Sequence, residues 1–288
     1  MTTSEPADAS RSSPFSVTGL LDAAGAVDLD DPNVVKACCA SAYGTDLVSM
    51  LLGDSFHPGG ADLTRRLATA LDLQPGQQVL DVASGIGTTA LLLAEERKVD
   101  VLGIDLGDSQ VSRARARASD VGLSGRVRFE LGDAERLPVH DDAYDAVVCE
   151  CAFCTFPDKA TAAAELARVI RPGGQVGITD IWLDPTKLEP ELQGLAGRIA
   201  CIADARPIDE VQTILECAGL VVTHIERHDE ALLDTIDRVA TRLRAARLLN
   251  VAMLRRFNIA RGIELADRAT EAVQRGDAGY MLLTATKP

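Results

Sequence analysis

The chain has 288 residues, 47% hydrophobic but only 3% aromatic, so its core must be built mainly from Ala, Val, Leu and Ile. That length suits one large domain with an appendage, or two small ones. A formal net charge of −14 repels nucleic-acid phosphates and anionic lipid, which argues against a nucleic-acid or membrane-surface partner.

The opening stretch "MTTSEPADASRSSPFS" lacks the basic and apolar segments of a secretory signal, and residues 1–30 read as a flexible tail. No apolar run approaches the ~20 residues of a membrane span. A cytoplasmic location follows, where the seven cysteines stay reduced. Residues 31–53 and 59–73 carry apolar side chains at helical spacing, a helical cap over 31–74. Strands are then expected at 77–84, 99–107, 126–133 and 144–151, with helices at 88–97, 108–121 and 158–170. "RPGG" turns the chain into a strand at 175–183, followed by a helix at 207–218 and a strand at 220–227. A long Arg-rich helical stretch over 229–275 and a last strand at 278–288 complete a domain spanning 75–288. Nearly continuous apolar strands alternating with helices predict an α/β, Rossmann-like, mostly parallel sheet covered on both faces. In the Arg-rich insertion, Val239, Leu243, Leu249, Met253 and Phe257 recur at helical intervals, and the arginines read as a solvated face.

"LDVASGIGTTA" (80–90) places Gly85 and Gly87 straight after a strand and at the opening of a helix. Glycines there let the backbone turn tightly and approach a ligand at a helix N-terminus. The pattern also fits the dinucleotide fingerprint of NAD enzymes, and a ligand-free turn is the plain alternative. Three acids, Asp81, Asp105 and Asp133, fall at strand C-terminal ends, the edge where open α/β sheets bind ligands. An acid at 81 does nothing for a pyrophosphate, but it suits a ligand carrying an amino group or a sulfonium.

In combination these segments resemble the class I S-adenosylmethionine-dependent methyltransferases. "VLDVASGIG" is similar to their first motif, "GIDLG" to the ribose-binding acid, "GDAERLP" to the adenine-contacting segment and "ELARVIRPGG" to the turn before the fifth strand. The resemblance covers 78–184 and implies a seven-stranded sheet whose C-terminal edge, at 220–227 and 278–286, is antiparallel. It implies that Asp81, Ala83, Ser84, Gly85 and Gly87 hold the amino-acid part of S-adenosyl-L-methionine. Asp105 and Leu106 would take the ribose, Asp133 and Ala134 the adenine, and Cys149 would sit on the donor side. Ala83 stands where a glycine is common, and alanine is small enough for close approach.

The fourth strand ends in "CECAFCTF" (149–156), beside the donor's methyl group in this family. Along a strand, Cys149 and Cys151 would share a side at ~6.6 Å, near the upper limit for a disulfide. No histidine pattern completes a zinc site, and packing as small hydrophobes remains the plain reading for Cys149. "CECAFCTFPDK" further resembles the same region of arsenite methyltransferases, with Cys151 eight residues before Lys159. Cys201, in "RIACIADARPIDEVQTILECAGL", matches a second functional cysteine of that subgroup. Cys38 and Cys39 stand for its N-terminal pair, at a different distance from the glycine loop.

Thiolates bind soft centres, and trivalent arsenic held by sulfurs keeps a lone pair that can attack a methyl group in line without a base. An oxygen or nitrogen nucleophile usually wants one, and Glu150, Asp180, His57 and His140 are the candidates. Glu150 is the best placed, His57 suits a cap or surface role equally well, and His140 carries no functional weight. The leading expectation is therefore methylation of thiol-bound trivalent arsenic, an arsenic-detoxification activity. Cys151 and Cys201 would be the ligands, Cys154 or Cys38 and Cys39 a third, with glutathione or another thiol as partner. The alternatives are a methyltransferase for an organic small molecule, a non-catalytic metalloid sensor that binds the donor, and an NAD oxidoreductase.

Overall fold

The computed structural model describes residues 31–43, 50, 53, 57–187, 202, 204–249 and 258–288. Two helices, α1 (Pro32–Tyr43) and α2 (Gly60–Ala70), precede the alternating region. There follow β1 (Gln78–Val82), α3 (Thr88–Arg97), β2 (Asp100–Asp105), α4 (Asp108–Asp120), β3 (Val127–Leu131) and β4 (Tyr144–Glu150). A one-turn 3-10 helix at Phe153–Thr155 leads to α5 (Lys159–Val169) and β5 (Ile170–Leu183). The chain closes with α6 (Ile208–Cys217), β6 (Val221–Arg227), α7 (Asp229–Leu248), α8 (Ile259–Arg275) and β7 (Ala278–Thr286).

The strands form one seven-stranded sheet in the order β3-β2-β1-β4-β5-β7-β6. β1 to β5 pair in parallel, whereas β7 runs antiparallel to both β5 and β6. This is the Rossmann-like architecture expected, including the antiparallel edge. Alternate residues of each strand feed two cores, as a period of two requires. Val79, Val101, Val127 and Val148 face α2, α3 and α4, while Leu80, Leu102, Val147 and Cys149 face α5 and α6. Chain order reverses between β1 and β4, which opens a crevice at the strand C-terminal ends.

Local chemistry sets several boundaries. Asp158 caps α5 by accepting from Thr161 N, and Asn258 caps α8 by accepting from Arg261 N. Two expectations need correction. The "RPGG" segment is not a turn outside the strand but part of β5, where a register slip between Tyr144 and Ala146 accommodates it. The Arg-rich stretch forms two helices rather than one, tied by an Arg244–Asp267 ion pair. Its arginines lie on a partly solvated face, where Arg261 and Arg268 both pair with Glu264. No helix among the described residues is long and apolar enough to cross a membrane.

Candidate active site

The crevice is a cavity running across the ends of β3, β2, β1 and β4, with α1 along one side. Its floor is the loop after β1. Ala83, Gly85 and Gly87 have φ of 59°, 54° and 80°. At Gly87 a Cβ would lie 2.4 Å from Phe129 Cζ, so only glycine fits. Ala83 adopts the same left-handed region, so the residue common here in the family answers a conformational demand as well as a spatial one. An L side chain tolerates that at a cost of about 1 kcal/mol.

Asp105 ties the loops after β1 and β2 together, since its two carboxylate oxygens accept from Gly85 N and Gly107 N, each at 2.8 Å. Burial pushes its carboxyl up despite these bonds. Asp81 is more extreme. It is 2% exposed, and burial, then the charges of Glu150 and Asp105, push its carboxyl well above the usual range. Among the described residues its Oδ2 has no hydrogen-bond partner, and neither has Ser84 Oγ. A buried, unpartnered acceptor among acids could receive a ligand's ammonium group. That suits a donor bearing an amino acid, and it is the opposite of what a pyrophosphate needs.

At the β3 end, Asp133 Oδ1 accepts from Glu135 N and its Oδ2 from Lys36 Nζ at 2.8 Å. Lys36 also pairs with Glu135, so α1 is fastened over this end of the cavity. Burial works to lower the Lys36 ammonium, but Asp133 and Glu135 outweigh it and raise the pKa. Gln110, buried on α4, adds a second tie by donating to Ala40 O at 2.7 Å. Leu106 and Ala134 supply apolar wall between them.

The β4 end holds a buried carboxylate, an imidazole and a thiol. The Glu150 carboxylate, 3% exposed, accepts from Thr64 (2.9 Å) and Thr89 (2.6 Å) at Oε2, and from Thr179 (3.2 Å) at Oε1. His57 enters the same cavity, with Nε2 3.5 Å from Glu150 Oε2 and Nδ1 3.1 Å from Pro58 O. The Pro-Gly-Gly run after it makes this possible, for Gly59 and Gly60 have φ of 77° and 51° and turn the chain sharply into α2.

The cysteines divide. Cys151 lines the cavity with a φ of 53°, its N–H donating to Thr179 O at 2.6 Å. This left-handed residue breaks the strand's alternation, so Cys149 and Cys151 do not share a side. Cys149 is fully buried in the opposite core, its thiol pushed well up by burial and by Asp180, Asp81 and Glu150. Cys154 is buried in the turn after β4, where its N–H donates to Asp180 Oδ2 at 2.8 Å. Lys159 braces that turn by donating to Cys154 O and Phe156 O while pairing with Asp204. Cys39 lines the cavity from α1. Cys201 lies outside the described residues, as does the Cys38 side chain. His140 is exposed and apart from the cavity. Among the described residues no group of three or more His, Cys, Asp or Glu is placed to hold a metal ion.

Sequence reasoning missed Lys36, Gln110 and the three threonines around Glu150, because each acts through contacts 29 to 99 residues away.

The family described as a methyltransferase domain matches residues 73–219. A 27-O-demethylrifamycin SV methyltransferase from Amycolatopsis mediterranei (strain S699) is 30% identical over 84% of this chain and 93% of its own length. An arsenite methyltransferase from Halobacterium salinarum is 32% identical, over 55% of this chain and 41% of its own. Among solved structures, a Haemonchus contortus phosphoethanolamine N-methyltransferase 2, with phosphomonomethylethanolamine and S-adenosylhomocysteine bound, superposes with a TM-score of 0.72. That match has 17% identity over 87% of this chain and 57% of the other. A Streptomyces coelicolor geranyl diphosphate C-methyltransferase gives 0.69 at 16% identity, over 88% and 98%.

Proposed function

Because this chain belongs to the methyltransferase-domain family, as an S-adenosylmethionine-dependent methyltransferase acting on a small molecule, we propose that its acceptor atom is a hydroxyl oxygen of an organic compound. The bound donor supplies a methyl carbon made electrophilic by positive sulfur. Asp81 Oδ2 receives the donor's ammonium group, Asp105 its ribose hydroxyls, and Leu106 and Ala134 flank its adenine. The acceptor lies at the β4 end of the cavity. The single observation that carries the reading is the buried carboxylate and imidazole, Glu150 and His57, at that end. A hydroxyl must lose a proton as its oxygen is methylated, and a dry site has to provide the acceptor for it. Likeness over nearly the full length of a methyltransferase named for an O-demethylated substrate supports the same chemistry.

A second reading, methylation of thiol-bound arsenite, is favoured by one observation, that Cys39 and Cys151 both line the cavity. It further needs Cys201 near Cys151. The two readings separate in one assay, methyl transfer from radiolabelled donor to 27-O-demethylrifamycin SV and other polyhydroxylated macrocycles, or to arsenite with glutathione. A labelled methyl ether supports the hydroxyl reading. Methylated arsenic alone overturns it.

A further inference from the structure

We infer that His57 Nε2 is the atom that takes the acceptor's proton, and that Glu150 is not the base but the group that positions and stabilises His57. This rests on the hydroxyl-acceptor reading and assigns the roles within it. Glu150 is the obvious base by sequence, since it ends β4 inside the cysteine segment. Its oxygens, however, are already occupied by three hydroxyl donors from α2, α3 and β5, at 2.9, 2.6 and 3.2 Å. Three donors engage three of its roughly four lone-pair sites, which leaves it poorly placed to take a further hydrogen. The carboxylate lies beside the imidazole, where it would stabilise an adjacent cation.

His57 has the complementary arrangement. Pro58 O can only accept, so the ring nitrogen 3.1 Å from it, Nδ1, carries the hydrogen. In the neutral ring Nε2 is then bare. Among the described residues, Nε2 meets Thr64 Oγ1 at 3.4 Å and Glu150 Oε2 at 3.5 Å. The Thr64 hydrogen is directed instead to Glu150, its closest acceptor. Nε2 therefore has an available lone pair in a cavity that His57 lines.

The balance is simple. Nε2 receives the hydroxyl proton while the oxygen's lone pair forms the new C–O bond and the pair of the old C–S bond stays on sulfur. Positive charge passes from sulfonium to imidazolium, beside the Glu150 carboxylate. The groups facing His57 are Glu150 from β4, Thr64 from α2 and Pro58 O, with Asp81 of β1 and Lys36 of α1 lining the same cavity.

Two measurements test this. Nitrogen-15 spectra of the His57 ring in the protein saturated with S-adenosylhomocysteine need no acceptor, so they stand or fall apart from the hydroxyl reading. The expected result is a hydrogen on Nδ1 and a bare Nε2 at pH 8, with protonation of Nε2 moved to lower pH in Glu150→Gln. A hydrogen on Nε2 at pH 8, or a titration indifferent to Glu150→Gln, overturns the assignment. With the hydroxyl acceptor found above, His57→Gln should lower kcat by about 10²- to 10⁴-fold while S-adenosylhomocysteine affinity stays within about twofold. The variant's residual rate should climb with pH where the native enzyme is level. A change confined to KM, or a kcat loss under tenfold, contradicts the role. His57→Asn serves as the second variant should the first fold poorly.

Discussion

Asp81 is a buried acid in the crevice, and the direction of its shift is the informative part. Burial and two neighbouring acids hold its carboxyl well above the usual carboxylate range. An acid whose folded pKa is raised binds more protons folded than unfolded, so stability falls as pH rises from the unfolded value of about 4 through the folded one. The ligand-free protein is thus expected to lose melting temperature across that window, and Asp81→Asn should reduce the loss, leaving the part that Asp105 contributes. The same substitution should weaken S-adenosylhomocysteine binding by about tenfold or more, since a charged hydrogen bond to the ammonium disappears. Calorimetric unfolding and binding titrations against pH check both halves. At Ala83 the expectation is reversed in kind. Ala83→Gly relieves a left-handed alanine and should raise the unfolding free energy by about 0.5–1 kcal/mol, net of glycine's greater unfolded-state freedom, read from the denaturant midpoint.

At the level of elements, α1 is the part whose position matters most to binding. Lys36 reaches from it to Asp133 and Glu135, and Ala40 O is held by Gln110. Both ties lie on the wall of the cavity, so α1 is expected to gate it. Lys36→Met removes the cation and leaves two carboxylates facing each other. The expected outcome is S-adenosylhomocysteine release about tenfold faster, with kcat for methyl transfer little changed, measured by stopped-flow fluorescence or surface plasmon resonance. An unchanged release rate would show that α1 is not the gate. None of this is local in sequence, because the Lys36–Asp133 contact spans 97 residues. The strands and the glycine loop, by contrast, were legible because continuous apolar runs and glycines at fixed spacing act within a few residues of themselves. The sidedness of "CECAFCTF" was not legible, since the strand period holds only until Glu150, and one left-handed residue at Cys151 undoes it.

For the molecule as a whole, the sheet order does the assembling. Reversal between β1 and β4 brings Asp133, Asp105, Asp81 and Glu150 to successive strand ends, an acidic row along one crevice. Such a row favours a donor that is cationic at its sulfur and amino group. It also favours release of the product, which has lost the sulfonium charge. The row was readable from sequence once the strands were placed. What sits opposite it was not, because His57 reaches the β4 end only through the docking of α2, whose Thr64 meets Glu150 across 86 residues. Thus the glycine loop and the acidic row follow from local motifs, whereas the His57–Glu150 pair depends on tertiary packing.

The most direct measurement is a single side-by-side methyl-transfer assay of the native protein, His57→Gln and Cys151→Ser, each with hydroxylated acceptors and with arsenite plus glutathione. An oxygen acceptor should be methylated at similar rates by the native protein and by Cys151→Ser, and about 10²- to 10⁴-fold more slowly by His57→Gln. Methylation of arsenite that survives His57→Gln and is lost in Cys151→Ser would contradict the account.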